Sequence, residues 1–113
     1  MLGLVRDVFD VLADPTRRAI LDELRRRGGC VVGELTTALG LGQPTVSKHL
    51  RVLRDLHVVD VVAESQQRRY SLRPGGLAAV EDWLAPHRAY WTERFEALGE
   101  YLDETDPAGG DTA

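Results

Sequence analysis

The apolar positions of this chain change period twice. Leu4, Val5, Val8, Phe9 and Leu12 recur at helical spacing and predict a helix over residues 3–12 with one apolar stripe. Asp14 followed by Pro15 marks a second helix start. The carboxylate can cap free N–H groups, and proline at the first helical position loses no hydrogen bond. Ala19, Ile20, Leu21 and Leu24 form its inward face. Arg25, Arg26 and Arg27 sit at its C-terminal end, where the helix dipole favours cations, and Gly28-Gly29 stops it. Cys30-Val31-Val32 reads equally as a brief strand or as the start of the next helix. Glu34 to Leu39 is a short helix with Leu35, Ala38 and Leu39 inward. Gly40-Leu41-Gly42 is a tight turn. Pro44 then lies near the start of a fourth helix whose Val46, Leu50 and Leu53 share one face. Two short helices joined by a glycine-containing turn read as helix-turn-helix.

Beyond that point the helical period stops. Val58, Val59, Val61 and Val62 are β-branched and suit a strand; Ser65-Gln66-Gln67 is a polar turn; Arg69-Tyr70-Ser71-Leu72 alternates and returns as a second strand. This hairpin is a wing, ended by Pro74-Gly75-Gly76. Helical spacing resumes at Leu77, Val80 and Leu84 and continues through Trp91, Phe95, Leu98 and Leu102, the last four separated by four, three and four as in a helix-pairing seam. Pro86 is expected to kink or split this region, because it lacks an N–H. The fold class that follows is mainly α with a small β-hairpin, a winged helix-turn-helix. It occupies residues 1–104 as one domain, with 105–113 as a flexible tail.

The net charge of −4 over 113 residues looks wrong for a polyanion binder until it is mapped. Residues 43–73 hold Lys48, Arg51, Arg54, Arg68, Arg69 and Arg73 against only Asp55, Asp60 and Glu64, whereas residues 81–113 are strongly acidic. Binding to nucleic acid depends on the local field, so the charge distribution favours the middle of the chain as the contact surface. Cys30 is the only cysteine and cannot form an internal disulfide, which fits a reducing compartment. No apolar run reaches membrane-spanning length, and the N-terminus lacks the order of a signal peptide, so the expected location is cytoplasmic.

At Leu12-Ala13-Asp14-Pro15-Thr16-Arg17-Arg18, at Gln43-Pro44-Thr45-Val46-Ser47-Lys48-His49-Leu50-Arg51-Val52-Leu53, and at Gln67-Arg68-Arg69-Tyr70-Ser71-Leu72, the chain resembles the ArsR/SmtB-like winged-helix repressors. The resemblance runs from about Val8 to Leu84. Its continuation through Trp83-Leu84 to Tyr90-Trp91 resembles a subgroup that often lacks heavy-metal sites. It implies a recognition helix over Gln43 to Leu53 and a homodimer closed by the first and last helices. Two positions depart from the family pattern. Gly42 stands where serine is common, a weaker cap, and Leu56-His57 stands where alanine-glycine is common. A left-handed backbone there would cost more for histidine than for glycine.

With Val46, Leu50 and Leu53 turned inward, Gln43, Thr45, Ser47, Lys48, His49 and Arg51 are left nearer solvent. Glutamine can pair with adenine through two hydrogen bonds, threonine and serine can bond to bases or phosphates, and Lys48 and Arg51 can hold phosphates or reach a guanine edge. Arg68 and Arg69 of the wing complete the expected DNA-binding set; strand alternation sends them to opposite faces. The expected dimer interface is Leu4, Val8, Phe9 and Leu12 from the first helix with Trp91, Phe95, Leu98 and Leu102 from the last.

The expected partners are therefore double-stranded DNA and a second copy of the chain, with no membrane, no cofactor and an inducer left open. The family's third-helix metal site resembles Cys-x-Cys, and the matching region here is Val31-Val32-Gly33 with Cys30 one residue outside it. The last helix offers only His87, so no metal ligands are expected. No nucleotide loop, nucleophile elbow or zinc-peptidase motif appears, and enzyme activity is not expected. The competing readings are a winged-helix protein-interaction module and a metal- or redox-responsive repressor.

Overall fold

Local capping sets where the helices begin. The computed structural model describes residues 7–105. Helix α1 spans Val8–Leu12, and the Asp7 carboxylate at its N-cap accepts from the backbone N–H of Asp10 at 3.0 Å. The expected helix over 3–12 is thus seen from Val8 onward; Leu4 and Val5 lie outside the described residues. Helix α2 spans Pro15–Arg27 and starts as its sequence demands. Asp14 accepts from the N–H groups of Thr16 and Arg17 at 2.8 and 3.2 Å. The bond from Arg17, followed by that from Thr16, holds the Asp14 carboxyl below its ordinary value. Gly28, at φ 74°, closes the helix in the left-handed conformation that glycine adopts without strain.

Cys30-Val31 is strand β1, and helix α3 follows at once over Val32–Leu39, two residues earlier than the sequence pattern suggests. The Glu34 carboxylate accepts from the Val31 N–H at 2.9 Å and so fastens the start of α3. Leu35 is buried and Leu39 packs partly against the core, as expected, but Ala38 is exposed: this two-turn helix turns its leucines inward and leaves the alanine outside. Helix α4 spans Gln43–Asp55, with Gly42 as an N-cap that has no side-chain bond. Strands β2 (Val59–Glu64) and β3 (Gln67–Leu72) pair antiparallel, with Glu64 opposite Gln67 and Val59 opposite Leu72. The turn is therefore Ser65-Gln66, one residue shorter than expected. Ser65 takes a φ of 55°, as a two-residue hairpin requires of its first central residue.

The hairpin is one part of a larger sheet. Cys30 pairs with Tyr70 and Val31 with Arg69, giving a three-stranded order β1-β3-β2. Strand pairing brings together residues forty positions apart, which periodicity cannot register. His57 occupies the left-handed region at φ 60°, where the sequence departs from the family's glycine, and its Nδ1 lies 3.0 Å from an Arg73 Nη1.

The chain divides into two compact units at Val80. The first is built around Val11, Ile20, Leu21, Leu24, Cys30, Leu35, Val46, Leu50, Leu53, Val58, Val59 and Tyr70. Val8 and Leu12, expected at a subunit interface, pack partly against this core of their own chain, while Phe9 is exposed. Glu23 is the buried charge. It accepts from Arg27 Nε at 2.9 Å and from Arg26, and Arg27 also lies 3.7 Å from Glu34 of α3. The hydrogen bond from Arg27, then that from Arg26, holds the Glu23 carboxyl below its usual range.

Helix α5 runs from Ala78 to Thr105, and its residues from Glu81 make up the second unit. Pro86, expected to kink or split this region, lies inside α5 and does not split it. Proline removes one N–H and crowds one carbonyl, a local penalty set against the remaining hydrogen bonds of a 28-residue helix. Thr105, expected to open the tail, still belongs to α5; residues 106–113 lie outside the described residues. Among the described residues no helix is long and apolar enough to cross a membrane.

Two outcomes follow for stability. Leu50→Ala should lower the unfolding free energy by about 2–5 kcal/mol in urea titration, because it opens a cavity at a fully buried site, while Lys48→Ala on the same helix should change it by less than about 0.5 kcal/mol. The depressed Glu23 carboxyl stabilises the fold fully at neutral pH, and this contribution is lost as pH falls through the acid range. Glu23→Gln should therefore destabilise the protein at pH 7 and flatten the fall of the urea midpoint between about pH 5 and 3; an unchanged acid limb would remove Glu23 from the account.

Candidate nucleic-acid interface

Helix α4 has three distinct sides because only one of them can be buried. Val46, Leu50 and Leu53 are 0% exposed and anchor it. One flank meets the wing. Gln43, Ser47, Arg51 and Arg54 line an open groove there, facing Gln66, Gln67 and Arg68, with Tyr70 at its base and Val32, Gly33 and Thr36 of α3 at its end. Thr45 and Lys48 are exposed, away from this lining. The other flank meets α2, where half-buried His49 accepts at Nδ1 from Arg17 Nε at 3.2 Å.

The expected DNA-binding residues thus separate into groups. Gln43, Ser47, Arg51 and Arg68 come together across one groove, Thr45 and Lys48 lie outside it, and His49 is engaged with α2. The wing register parts the two neighbouring arginines. Arg68 shares the face of buried Tyr70 and looks into the groove. Arg69 is on the opposite face, where its Nε lies 3.3 Å from the Glu64 carboxylate and its Nη1 donates to the Gly29 carbonyl at 3.3 Å. Tyr70 itself is buried, and Cys30, on the neighbouring strand, has its thiol pushed up by burial.

The cations also divide by partnership. Arg17, Arg18, Arg26, Arg27, Arg69, Arg73 and Arg88 each have a hydrogen-bonding or ionic partner in the protein, and Arg94 lies over the Tyr90 ring. Among the described residues, Arg25, Lys48, Arg51, Arg54 and Arg68 have none, and all but Arg25 are on α4 or the wing. A cation without a protein partner keeps its counterions in the free state and can exchange them for a phosphate. Sequence reasoning left Arg54 out of the contact set although it stands three residues beyond Arg51. Spacing carried that signal, but only the groove shows its place beside Arg51. The Arg17–His49 bond spans thirty-two positions and had no signal in the sequence.

Among the described residues no group of three or more histidine, cysteine, aspartate or glutamate side chains could hold a metal ion. The groove's chemistry is that of neutral amide and hydroxyl groups interleaved with guanidinium groups, suited to base edges and phosphates.

Comparison with known proteins agrees with this geometry. A helix-turn-helix domain family matches residues 12–62. The HTH-type transcriptional regulator Rv2034 of Mycobacterium tuberculosis is 39% identical over 104 residues, covering 92% of this chain and 91% of its own. The transcriptional repressor SdpR of Bacillus subtilis is 31% identical over 80 residues, covering 71% and 88%. The solved structure of an ArsR-like transcriptional regulator from Rhodococcus sp. RHA1 superposes with a TM-score of 0.62 at 30% identity, covering 83% of this chain and 88% of that one. A winged helix with an open, cationic α4–wing groove and relatives of this length and similarity lead to one assignment: the chain belongs to the ArsR/SmtB family of winged helix-turn-helix transcriptional regulators, which bind DNA.

Proposed function

We propose that the protein is a cytoplasmic repressor that binds a palindrome-like operator as a homodimer. In each subunit α4 enters the major groove and the β2–β3 wing lies along the adjacent backbone. The single observation that carries this reading is the placement of the partnerless cations. Among the described residues, Lys48, Arg51, Arg54 and Arg68 all lie on α4 and the wing, while the arginines elsewhere, Arg25 apart, are engaged within the protein. In this reading Gln43, Thr45, Ser47 and Arg51 face the bases or the nearest phosphates, Lys48, Arg54 and Arg68 hold the backbone, and Arg69 braces the wing by neutralising Glu64.

The dimer is supported by the apolar face of α5. Trp91, Phe95 and Leu98 are 54%, 67% and 52% exposed, and Trp91 stacks on Phe95 with ring centroids 6.2 Å apart. Among its described residues the second unit is one helix, with no other element against which to bury them. Association across a two-fold axis would remove this face from water at roughly 25 cal/mol per Å² of apolar area. In the proposal Leu102 extends the same seam, and Leu4, Val8, Phe9 and Leu12 of the N-terminal segment join it. Residues 1–104 then work as one DNA-binding and dimerisation domain. Two α4 helices would meet successive turns of the major groove, about 34 Å apart.

Selection of bound duplexes from random-sequence DNA by the purified protein tests the reading as a whole. A two-fold motif is the expected result, and its absence from a folded protein would favour an interaction module. On the selected duplex, Arg54→Ala should weaken binding about equally on specific and non-specific DNA and lower the salt slope by about one; Arg25→Ala should change neither. Fluorescence anisotropy across a salt series reads both. Sedimentation equilibrium at micromolar protein should give twice the 12.5 kDa chain mass. Replacing Trp91 and Phe95 together by alanine should shift the protein toward monomer and weaken the full operator, while leaving weak binding to an isolated half-site; a wild-type monomer at that concentration would end the dimer proposal.

A further inference from the structure

We infer that Arg17 is a positioning residue for DNA binding: it fixes the tautomer of His49 so that the ring offers its Nε2–H to a backbone phosphate. This rests on the reading that α4 lies in the major groove. The Arg17 Nε–H donates to His49 Nδ1 at 3.2 Å. A ring nitrogen that accepts a hydrogen bond carries no proton, so the neutral imidazole must hold its proton on Nε2. Arg17 is itself held in place. Its backbone N–H donates to Asp14 Oδ1 at 3.2 Å, and the same oxygen accepts from Thr16 N–H at 2.8 Å, so the start of α2 is fastened where the guanidinium leaves it. Asp14, the N-cap of α2, interacts electrostatically with His49, and Arg17 in the first turn of α2 bonds to its ring.

The position of His49 gives this bond a role in binding. A helix in the major groove has a phosphate backbone on each side. On the wing flank of α4, Arg51, Arg54 and Arg68 are available without protein partners. On the α2 flank the corresponding group is the half-buried His49, whose Nδ1 is taken by Arg17 and whose Nε2 is the nitrogen left for a phosphate. With the tautomer reversed, a lone pair would face the phosphate in place of an N–H, turning an attraction into a repulsion. The Nε–H of Arg17 is engaged by the ring, whereas its Nη groups are not, so the salt slope decides between action through His49 and direct phosphate contact.

Three measurements test this together. Imidazole nitrogen-15 spectra of the free wild-type protein at pH 7.5 should show His49 in the Nε2–H form, and Arg17→Ala should give a mixture of tautomers. On the duplex selected from random DNA, Arg17→Ala should weaken binding by the inverse of the Nε2–H fraction that the spectra report, about twofold for an even mixture, with the salt slope unchanged. In a His49→Gln background the same change should leave affinity unchanged, since the glutamine amide donates without help from Arg17. An Nδ1–H or doubly protonated ring in the wild type would overturn the proposal. So would equal losses in both backgrounds, or a slope reduced by about one, which would mark Arg17 as a direct phosphate contact. A lower melting temperature for Arg17→Ala with unchanged affinity would also overturn it, leaving the pair as a staple between α2 and α4. If the wild type binds no duplex at all, the reading of α4 as the DNA-contacting helix fails, and the spectra still report separately whether Arg17 sets the tautomer.

Discussion

The one-sided burial of α4 is the constraint from which the interface follows. Val46, Leu50 and Leu53 are completely withdrawn from solvent, against a core supplied by α2, α3 and the sheet. Once those three side chains are buried, the orientation of every other residue on the helix is set by the 3.6-residue turn. Gln43, Ser47, Arg51 and Arg54 turn to the wing, Thr45 and Lys48 to solvent, and His49 to α2. The polar sides are free for DNA because the apolar side alone holds the helix in place.

Electrostatics then separates arginines that build the protein from those that serve DNA. Arg26 and Arg27 compensate Glu23, the buried charge, and Arg27 extends to Glu34, tying α2 to α3. Arg69 plays a comparable part at the wing, offsetting the one carboxylate near its tip and reaching the Gly29 carbonyl. With these charges internally balanced, the field at the α4–wing groove comes from cations that have no protein partner. The overall charge of −4 is therefore no obstacle to binding a polyanion: the acidic residues are concentrated after Glu81, outside the sequence segments that form the groove.

The sheet does more than carry a wing. Pairing of Cys30-Val31 with Tyr70 and Arg69 attaches the hairpin to the segment between α2 and α3, and Tyr70 and Cys30 both enter the core from that contact. The wing is thus fastened at its base along one edge, and the side of β3 that carries Tyr70 also carries Arg68. His57 holds the connection between α4 and β2 in a left-handed conformation at φ 60°, with Arg73 beside its ring. A family position that favours glycine is filled here by a residue whose side chain contacts the far end of the hairpin.

Much of this was legible in the sequence by itself. Periodicity located the four helices of the first unit and the hairpin. The Asp14-Pro15 pair and Gly28 marked the ends of α2, and the spacing of Val46, Leu50 and Leu53 identified the buried side of α4 and hence its exposed residues. These features are local: they depend on backbone preferences and on which residues share a face within a few turns. What only the tertiary structure decided was which of the exposed groups meet. The third strand requires pairing across forty residues, the Arg17–His49 bond across thirty-two, and the choice between Arg68 and Arg69 depends on a hairpin register set by a two-residue turn. Arg54 was visible as a charge but not as a member of the groove, because its place depends on how the wing packs beside α4. Pro86 shows the converse: of the two outcomes its local chemistry allows, a kink or a split, the continuous run of α5 rules out the split. Sequence patterns record the preferences of neighbours along the chain, whereas a binding surface is made by side chains that become neighbours only after the chain has folded.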